Sequence, residues 1–327
     1  MTLIIAGYTA APASAQDRLE YYRILATDTR ATGFELAWRP QETLEEVTAL
    51  AAVLPSGWTL TLNGIPSTFK AWAADHAFGL ASPDADGRAA AVQCTRGIAE
   101  TITRINDLLD RAAVSAVEIH AAPGFSSRDI VANAEAFRRS LDEVSEIDFG
   151  TTSVLVEHCD AFVPGQTPTK GFLTLDEELD AVRAVAAPHI GSSLNWGRSL
   201  IELRDPASIV DHIDRANAAG TLRAFTFSGT ATVANGYDVA WADSHLPLQD
   251  PEHGEFGEPA SAMTVAHVER AVERLSGLEF IAVKTNWPKT RTDPRERAES
   301  VLANFSTVAA VVDRAGTAFD SKRGIQV

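Results

Sequence analysis

Eight short runs of alternating apolar and polar residues recur along this 327-residue chain, each followed by an amphipathic helical pattern. The runs are Leu3–Tyr8, Phe34–Arg39, Trp58–Asn63, Val117–His120, Val154–Asp160, Ile190–Asn195, Leu222–Ser228 and Phe280–Asn286. Runs of about 4–8 residues with a period of two read as strands. The helical patterns are Ala15–Leu25, Glu42–Leu54, Asp84–Arg111, Asp129–Val144, Leu175–Ala186, Ser208–Ala219, Val265–Leu275 and Arg295–Arg314. Strands alternating with helices imply a parallel sheet. Eight such units predict an α/β protein, a closed (β/α)8 TIM barrel forming one domain over residues 1–327. A barrel of this kind carries its chemistry at the C-terminal ends of its strands.

Composition narrows the partners. Apolar residues make up 45%, enough for a full core, and the net charge is 28 − 44 = −16. Nucleic-acid binding needs a basic face, so that class is excluded. An anionic membrane surface would repel the chain, and no apolar run approaches the roughly 20 residues of a membrane helix. Cys94 and Cys159 make neither a disulfide framework nor a zinc site and read as reduced thiols. The start, Leu3-Ile4-Ile5-Ala6-Gly7, reads as a first strand rather than a signal peptide. The expectation is a cytoplasmic protein with a small-molecule substrate, no nucleic-acid or membrane partner, and a homo-oligomer left open.

Three connections are long: Gly64–Pro83, Ala161–Thr174 and Gly229–Met263. Unstructured loops beyond about 12–15 residues are usually functional or disordered. All three fall on the catalytic face of the expected barrel. The third holds Trp241, His245 and His253 and is the candidate lid.

Strand alternation assigns the inward side chains. Glu118 and His120 alternate with apolar Val117 and Ile119 and should face the lumen. The same reasoning turns inward Glu35 and Arg39, then Thr59, Thr61 and Asn63, then Glu157, Ser193, Asn195, Thr226, Ser228, Lys284 and Asn286. Charges are almost never buried unless paired, and an unpaired buried charge is costly. Glu118, Glu157, His120 and Lys284 are therefore the catalytic candidates, with a lumenal salt-bridge network as the structural alternative. Asn63, Asn195, Arg198, Ser228, His245 and Asn286 are the substrate-binding candidates. Trp196, like Trp287, lies just past a strand, where it could stack on a sugar ring. Tyr8 and Trp38 read as packing. Cys159 beside His158 is not a nucleophile pair, because neighbours in an extended chain do not face each other.

Two segments carry a family resemblance. Gly79-Leu80-Ala81-Ser82-Pro83-Asp84, leading to Arg88 and a long helix, is one. Val154-Leu155-Val156-Glu157-His158 is the other. Both resemble the xylose-isomerase-like barrels, a superfamily of sugar and sugar-phosphate isomerases and epimerases. Closer still, the chain resembles a bacterial family within that group known only as a domain of unknown function. The resemblance implies a divalent-metal site built from a Glu on strand 5, an Asp on strand 6, a His on strand 7 and a Glu on strand 8. Only Glu157 matches. Asn195, Ser228 and Lys284 stand at the other positions, and Arg198 stands where an Asp-x-x-His pattern would place histidine. One carboxylate does not hold Mg²⁺ or Mn²⁺ tightly, so neither a metal nor another cofactor is expected.

The resulting expectation is an isomerase- or epimerase-like enzyme acting on a small polar or anionic carbohydrate by proton transfer next to a carbonyl. Glu157 would be the base, Glu118 or His120 the second acid/base, and Lys284 the group that polarises the substrate oxygen. Arg198 would hold an anionic group through its planar fork. Two alternatives stay open: Schiff-base lyase or aldolase chemistry on Lys284, and a non-catalytic sugar-binding barrel.

Overall fold

The computed structural model describes residues 2–125, 130–252, 254–288 and 293–323. Its strands are β1 (Thr2–Ala6), β2 (Gly33–Ala37), β3 (Thr59–Asn63), β4 (Val114–Ile119), β5 (Ser153–Glu157), β6 (Ile190–Asn195), β7 (Leu222–Phe227) and β8 (Phe280–Lys284). They pair in sequence order, all parallel, and β8 closes on β1. The helices are α1 (Ala15–Leu25), α2 (Glu42–Leu50), α3 (Ile65–Ala74), α4 (Ala85–Leu108), α5 (Ala134–Ser145), α6 (Leu175–Val185), α7 (Trp196–Leu203), α8 (Ile209–Ala219), α9 (Val265–Val272) and α10 (Pro294–Arg323). The chain is a (β/α)8 TIM barrel. Among the described residues, no helix is long and apolar enough to cross a membrane.

Local signals explain the helix ends. The Ser14 hydroxyl accepts from Asp17 N, and the Asp84 carboxylate accepts from Gly87 N at 2.8 Å, each satisfying an orphan donor of the first turn. Thr174 and Glu177 form a reciprocal capping box at α6. Gly220 closes α8 at φ 71°, a conformation that suits glycine. Asp129, the expected start of the fourth helix, lies outside the described residues, as does His253.

Two helices are missing from the sequence reading. The Gly64–Pro83 connection is not an open loop, because Ile65–Ala74 folds into α3. The turn after β6 is the eight-residue α7.

The barrel interior has two levels. Ile4, Ala6, Ala116, Leu155, Ala224, Phe280 and Ala282 form an apolar plug. On the outer face, residues such as Leu36, Leu62, Val117, Val154, Phe225 and Val283 pack against the helices. Above the plug the register sets polar residues beside one another: Asn63 pairs with Glu118 and Glu157 with Ser193, while Lys284 stands beside Ala6 at the top of the plug. Arg39 is a correction. β2 ends at Ala37, alternation stops there, and Arg39 turns outward to pair with Glu42 at 3.4 Å.

Candidate active site

Glu157, the last residue of β5, is the hub of the barrel mouth and has no exposed surface. Its Oε2 accepts from Asn63 Nδ2 at 2.9 Å, approaches His120 Nε2 at 2.8 Å, and lies 2.5 Å from Arg198 Nη1. Its Oε1 accepts from Asn195 Nδ2 at 3.3 Å. The two asparagines are held by the helices that follow them. Asn63 Oδ1 accepts from Ile65 N at the start of α3, and Asn195 Oδ1 accepts from Gly197 N and Arg198 N at the start of α7. With each carbonyl end committed to a helix, each amide NH₂ points at Glu157. Gly197 permits this start of α7, because a Cβ there would lie 2.5 Å from Ser228 O.

Glu118 sits beside this hub. Its Oε2 accepts from the same Asn63 Nδ2 that serves Glu157, and its Oε1 accepts from Ser193 Oγ at 2.9 Å. Lys284 closes the other side. Its Nζ lies 2.6 Å from Glu35 Oε1 and 5.3 Å from the centre of the Tyr8 ring. Tyr8 is therefore part of the site wall rather than simple packing. The cation in direct contact with Glu157 is Arg198, and the direct partner of Lys284 is Glu35.

The third long connection folds over the mouth. Asp243 Oδ2 accepts from Lys170 Nζ at 2.6 Å and from Arg198 Nε at 3.1 Å. His245 Nδ1 lies 2.8 Å from Ser228 Oγ and 3.4 Å from Asp243 Oδ1. Asn286 donates to Ser244 O and, through its backbone, to His245 O, so it anchors this connection. Thr169 Oγ1 donates to Trp241 O, which ties the second long connection to the third. Beside the mouth, Tyr8 also lines a cleft of about 770 Å³ between α1 and α2, with Arg18, Arg39, Glu46 and Arg297 on its walls.

The electrostatics separate the two neighbouring carboxyls. Burial pushes Glu157 up, but Arg198, Lys284 and the His120 hydrogen bond outweigh it and hold the group well below the usual carboxylate range. Burial raises Glu118 well above that range, and the charges of Glu157 and Glu35 add to the effect. Burial lowers His120 to about 4, so it is neutral at physiological pH. Lys284 is held well above its ordinary value because Glu35 and other nearby anionic groups outweigh its burial. The shift favours the ammonium, a donor and a charge, and runs opposite to the one that activates a lysine for Schiff-base chemistry.

Several buried polar atoms here have neither a hydrogen bond nor an ion-pair contact: Glu35 Oε2, Thr61 Oγ1, His120 Nδ1, Arg198 Nη2 and Thr226 Oγ1. Buried polar atoms are normally satisfied. A convergent group of this size is what a polar ligand or ordered water would complete.

Of the residues singled out from sequence, Glu157, Glu118, His120, Asn63, Asn195, Arg198, Ser228, His245 and Lys284 line this one region. Trp196 does not. It faces the helical layer, packs near His267 with ring centres 5.7 Å apart, and belongs to the outer core. Trp287 is likewise in that core. Asp243 and Lys170 were not singled out, and nothing periodic marks them, because irregular loops bring them in.

A family described as "Domain of unknown function (DUF4862)" matches residues 4–300. The chain belongs to this family. An uncharacterized protein of Salmonella typhimurium, STM3670, is 32% identical over 292 residues, covering 86% of this chain and 88% of that protein. Among solved structures, L-ribulose 3-epimerase superposes with a TM-score of 0.63 at 14% identity over 100% of both chains. The 3-keto-D-glucoside 4-epimerase YcjR of E. coli superposes with a TM-score of 0.55 at 13% identity, over 94% of this chain and 99% of its own. The DUF4862 barrel thus shares the xylose-isomerase-like TIM-barrel fold of sugar isomerases and epimerases.

At the divalent-metal position that this fold implies, the side chains are already engaged with one another. Glu157 is paired with Arg198, Asp243 with Arg198 and Lys170, and Glu35 with Lys284. Glu157 and Asp243, the carboxylates held ionised, already face fixed cations, and burial pushes Glu35 and Glu118 toward their neutral forms. These residues do not fit a divalent cation, which takes several free oxygen ligands.

Proposed function

We propose that this barrel is an isomerase or epimerase of a small, polar or anionic carbohydrate, acting by proton transfer at the carbon next to a carbonyl. The observation that carries the reading is the Glu118–Asn63–Glu157 arrangement, two carboxyls bridged by one amide beneath the inward-facing cations Lys284 and Arg198. Pairs of titratable groups pushed to opposite protonation states supply an acid and a base in one site. Glu157 accepts the proton from carbon. Lys284 and the Arg198 fork stabilise the negative charge that develops on the carbonyl oxygen. Glu118, as the carboxylic acid, delivers a proton to the resulting enolate. Turnover ends with Glu157 protonated and Glu118 ionised, and exchange with water restores the start. His120 aligns Glu157, and Asn63 and Asn195 fix its two oxygens.

The test is solvent isotope exchange. A panel of ketoses, aldoses and sugar acids is incubated with the protein in D₂O, with chelator present, and followed by proton NMR. Deuterium should enter the carbon next to the carbonyl of the true substrate class and fail to enter with Glu157→Gln. Exchange that persists in Glu157→Gln, or its absence across the whole panel, would overturn the reading.

A further inference from the structure

His158 follows Glu157 but points the other way, out of the barrel into a buried cluster with Glu178 of α6, Glu202 of α7 and His212 of α8. His158 Nδ1 is 2.7 Å from Glu178 Oε2, and His158 Nε2 is 2.9 Å from Glu202 Oε2. His212 Nδ1 is 3.2 Å from Ser199 Oγ, while its Nε2 lies 3.6 Å from Glu202 Oε1, too far for a hydrogen bond. That Nε2 is buried without a hydrogen-bond partner, as is Glu178 Oε1. His158 and His212 are 1% and 0% exposed.

We infer that His158, Glu202 and His212 form a binding site for a divalent transition ion of the zinc type, outside the barrel mouth. One ligand atom from each of the three lies within 4.8 Å of the others. Zinc held at about 2.0–2.2 Å draws its ligands to roughly 3.3 Å from one another, so a small side-chain rotation completes the set. The surroundings are those of a metal site. Both histidines have Nδ1 beside a side-chain oxygen, Glu178 Oε2 for one and Ser199 Oγ for the other, which orients each ring with Nε2 toward Glu202. Metal-binding histidines are commonly oriented in this way. Ala161 N donates to Glu202 Oε2 at 2.9 Å and steadies the carboxylate.

Charge points the same way, because Glu178 and Glu202 both face His158 and a divalent cation suits a cluster with two carboxyl groups. Three protein ligands leave a fourth position for water, and Glu202, whose side chain is 11% exposed, opens that side to solvent. Such an ion would pin His158, next to Glu157, to α7 and α8. α7 carries Arg198, so both partners of the Arg198–Glu157 contact would be braced from outside.

The experiment uses the full chain, stripped with chelator and titrated with Zn²⁺ alone. Retained metal is measured after gel filtration, and proton release is followed during titration, because an ion displaces the proton from its ligands. Wild type should retain about one equivalent. His212→Gln and Glu202→Gln should each lose it. Glu178→Gln, which changes only the group behind His158, should bind some 10–100-fold more weakly. Glu157→Gln should bind as wild type does. X-ray absorption of the wild-type zinc form should show two imidazoles, a readout that does not depend on any variant folding. Stripped wild type that retains no zinc would overturn the inference. So would zinc kept by folded His212→Gln but lost from Glu157→Gln, which would put the ion at the barrel mouth. Isotope exchange at the mouth is a separate measurement, so failure of one proposal is distinguishable from failure of the other.

Discussion

Glu118 and Glu157 share one hydrogen-bond donor, the Nδ2 of Asn63. Two carboxyls that close do not ionise together without cost. Their surroundings decide which keeps the proton. Glu157 has the Arg198 guanidinium against it, while Glu118 has a serine hydroxyl and the apolar plug below. The pair is therefore asymmetric before any substrate enters.

Glu118 should make stability fall as pH rises. Its folded pKa is raised well above the ordinary value of 4.5, mainly by burial. Its contribution is then whole below that value and is lost as pH climbs through the folded pKa. Glutamine has no proton to lose. Glu118→Gln should melt close to wild type near about pH 5 and above wild type near about pH 8. Thermal melts at the two pH values check this, and a deficit that grows with pH would show that Glu118 is ionised in the fold. The same variant should lose turnover by about 10²–10⁴-fold, because an amide cannot deliver the proton.

Asn195 is the second discriminating position, since it both caps α7 and donates to Glu157. Asn195→Ala removes both and should cost about 0.5–2 kcal/mol for the cap alone. Asn195→Asp keeps an oxygen for Gly197 N and Arg198 N but sets a second carboxylate against Glu157. It should retain the cap, melt above Asn195→Ala, and still lose at least about tenfold in turnover. Equal turnover in wild type and Asn195→Asp would mean that the amide is present only for the helix.

The reading of Asn195 shows why part of the site was legible. Strand alternation is strict, so Glu118, Asn63, Glu157, Asn195 and Lys284 could be placed on the inner face from sequence alone. The rule fails where the strand ends. Arg39 lies two residues past that point and turns away from the lumen, whereas Trp196, next to inward Asn195, faces outward as alternation requires. It also gives no information on partners. Lys284 and Glu157 both face inward, yet the closed barrel gives Glu35 to one and Arg198 to the other. Asp243 and Lys170 come from irregular chain, where no period exists to reveal them. α3 went unseen because its helical pattern spans only Ile65–Ala74 and adjoins a loop read as continuous.

Asp243 should hold the loop over the mouth. Its carboxylate joins Lys170 to Arg198, and without it Lys170 keeps only the longer 3.9 Å contact to Asp160 while Arg198 keeps only Glu157. Breaking a buried pair by removing one partner typically costs about 3–5 kcal/mol. Asp243→Asn should therefore lower the melting temperature and speed limited proteolysis near Val233 and Val239, which are already 56% and 66% exposed. An unchanged cleavage rate in this segment would show that the loop is held by its other contacts.

Lys284 and Glu35 allow stability and chemistry to be separated. The two groups are 2.6 Å apart and almost fully buried. Lys284→Met strands the Glu35 carboxylate, and Glu35→Leu strands the ammonium, so each single change should destabilise by about 3–5 kcal/mol. Lys284→Met with Glu35→Leu removes both charges and replaces them with apolar side chains of similar size, which is often neutral for stability. The double variant should thus regain most of the lost melting temperature. If Lys284 stabilises the developing oxyanion, turnover should stay lost in the double variant, and solvent deuterium exchange should vanish with it. Exchange that returns with stability would show that Lys284 serves only to neutralise Glu35. The charge on the substrate oxygen would then have to be met by Arg198 alone.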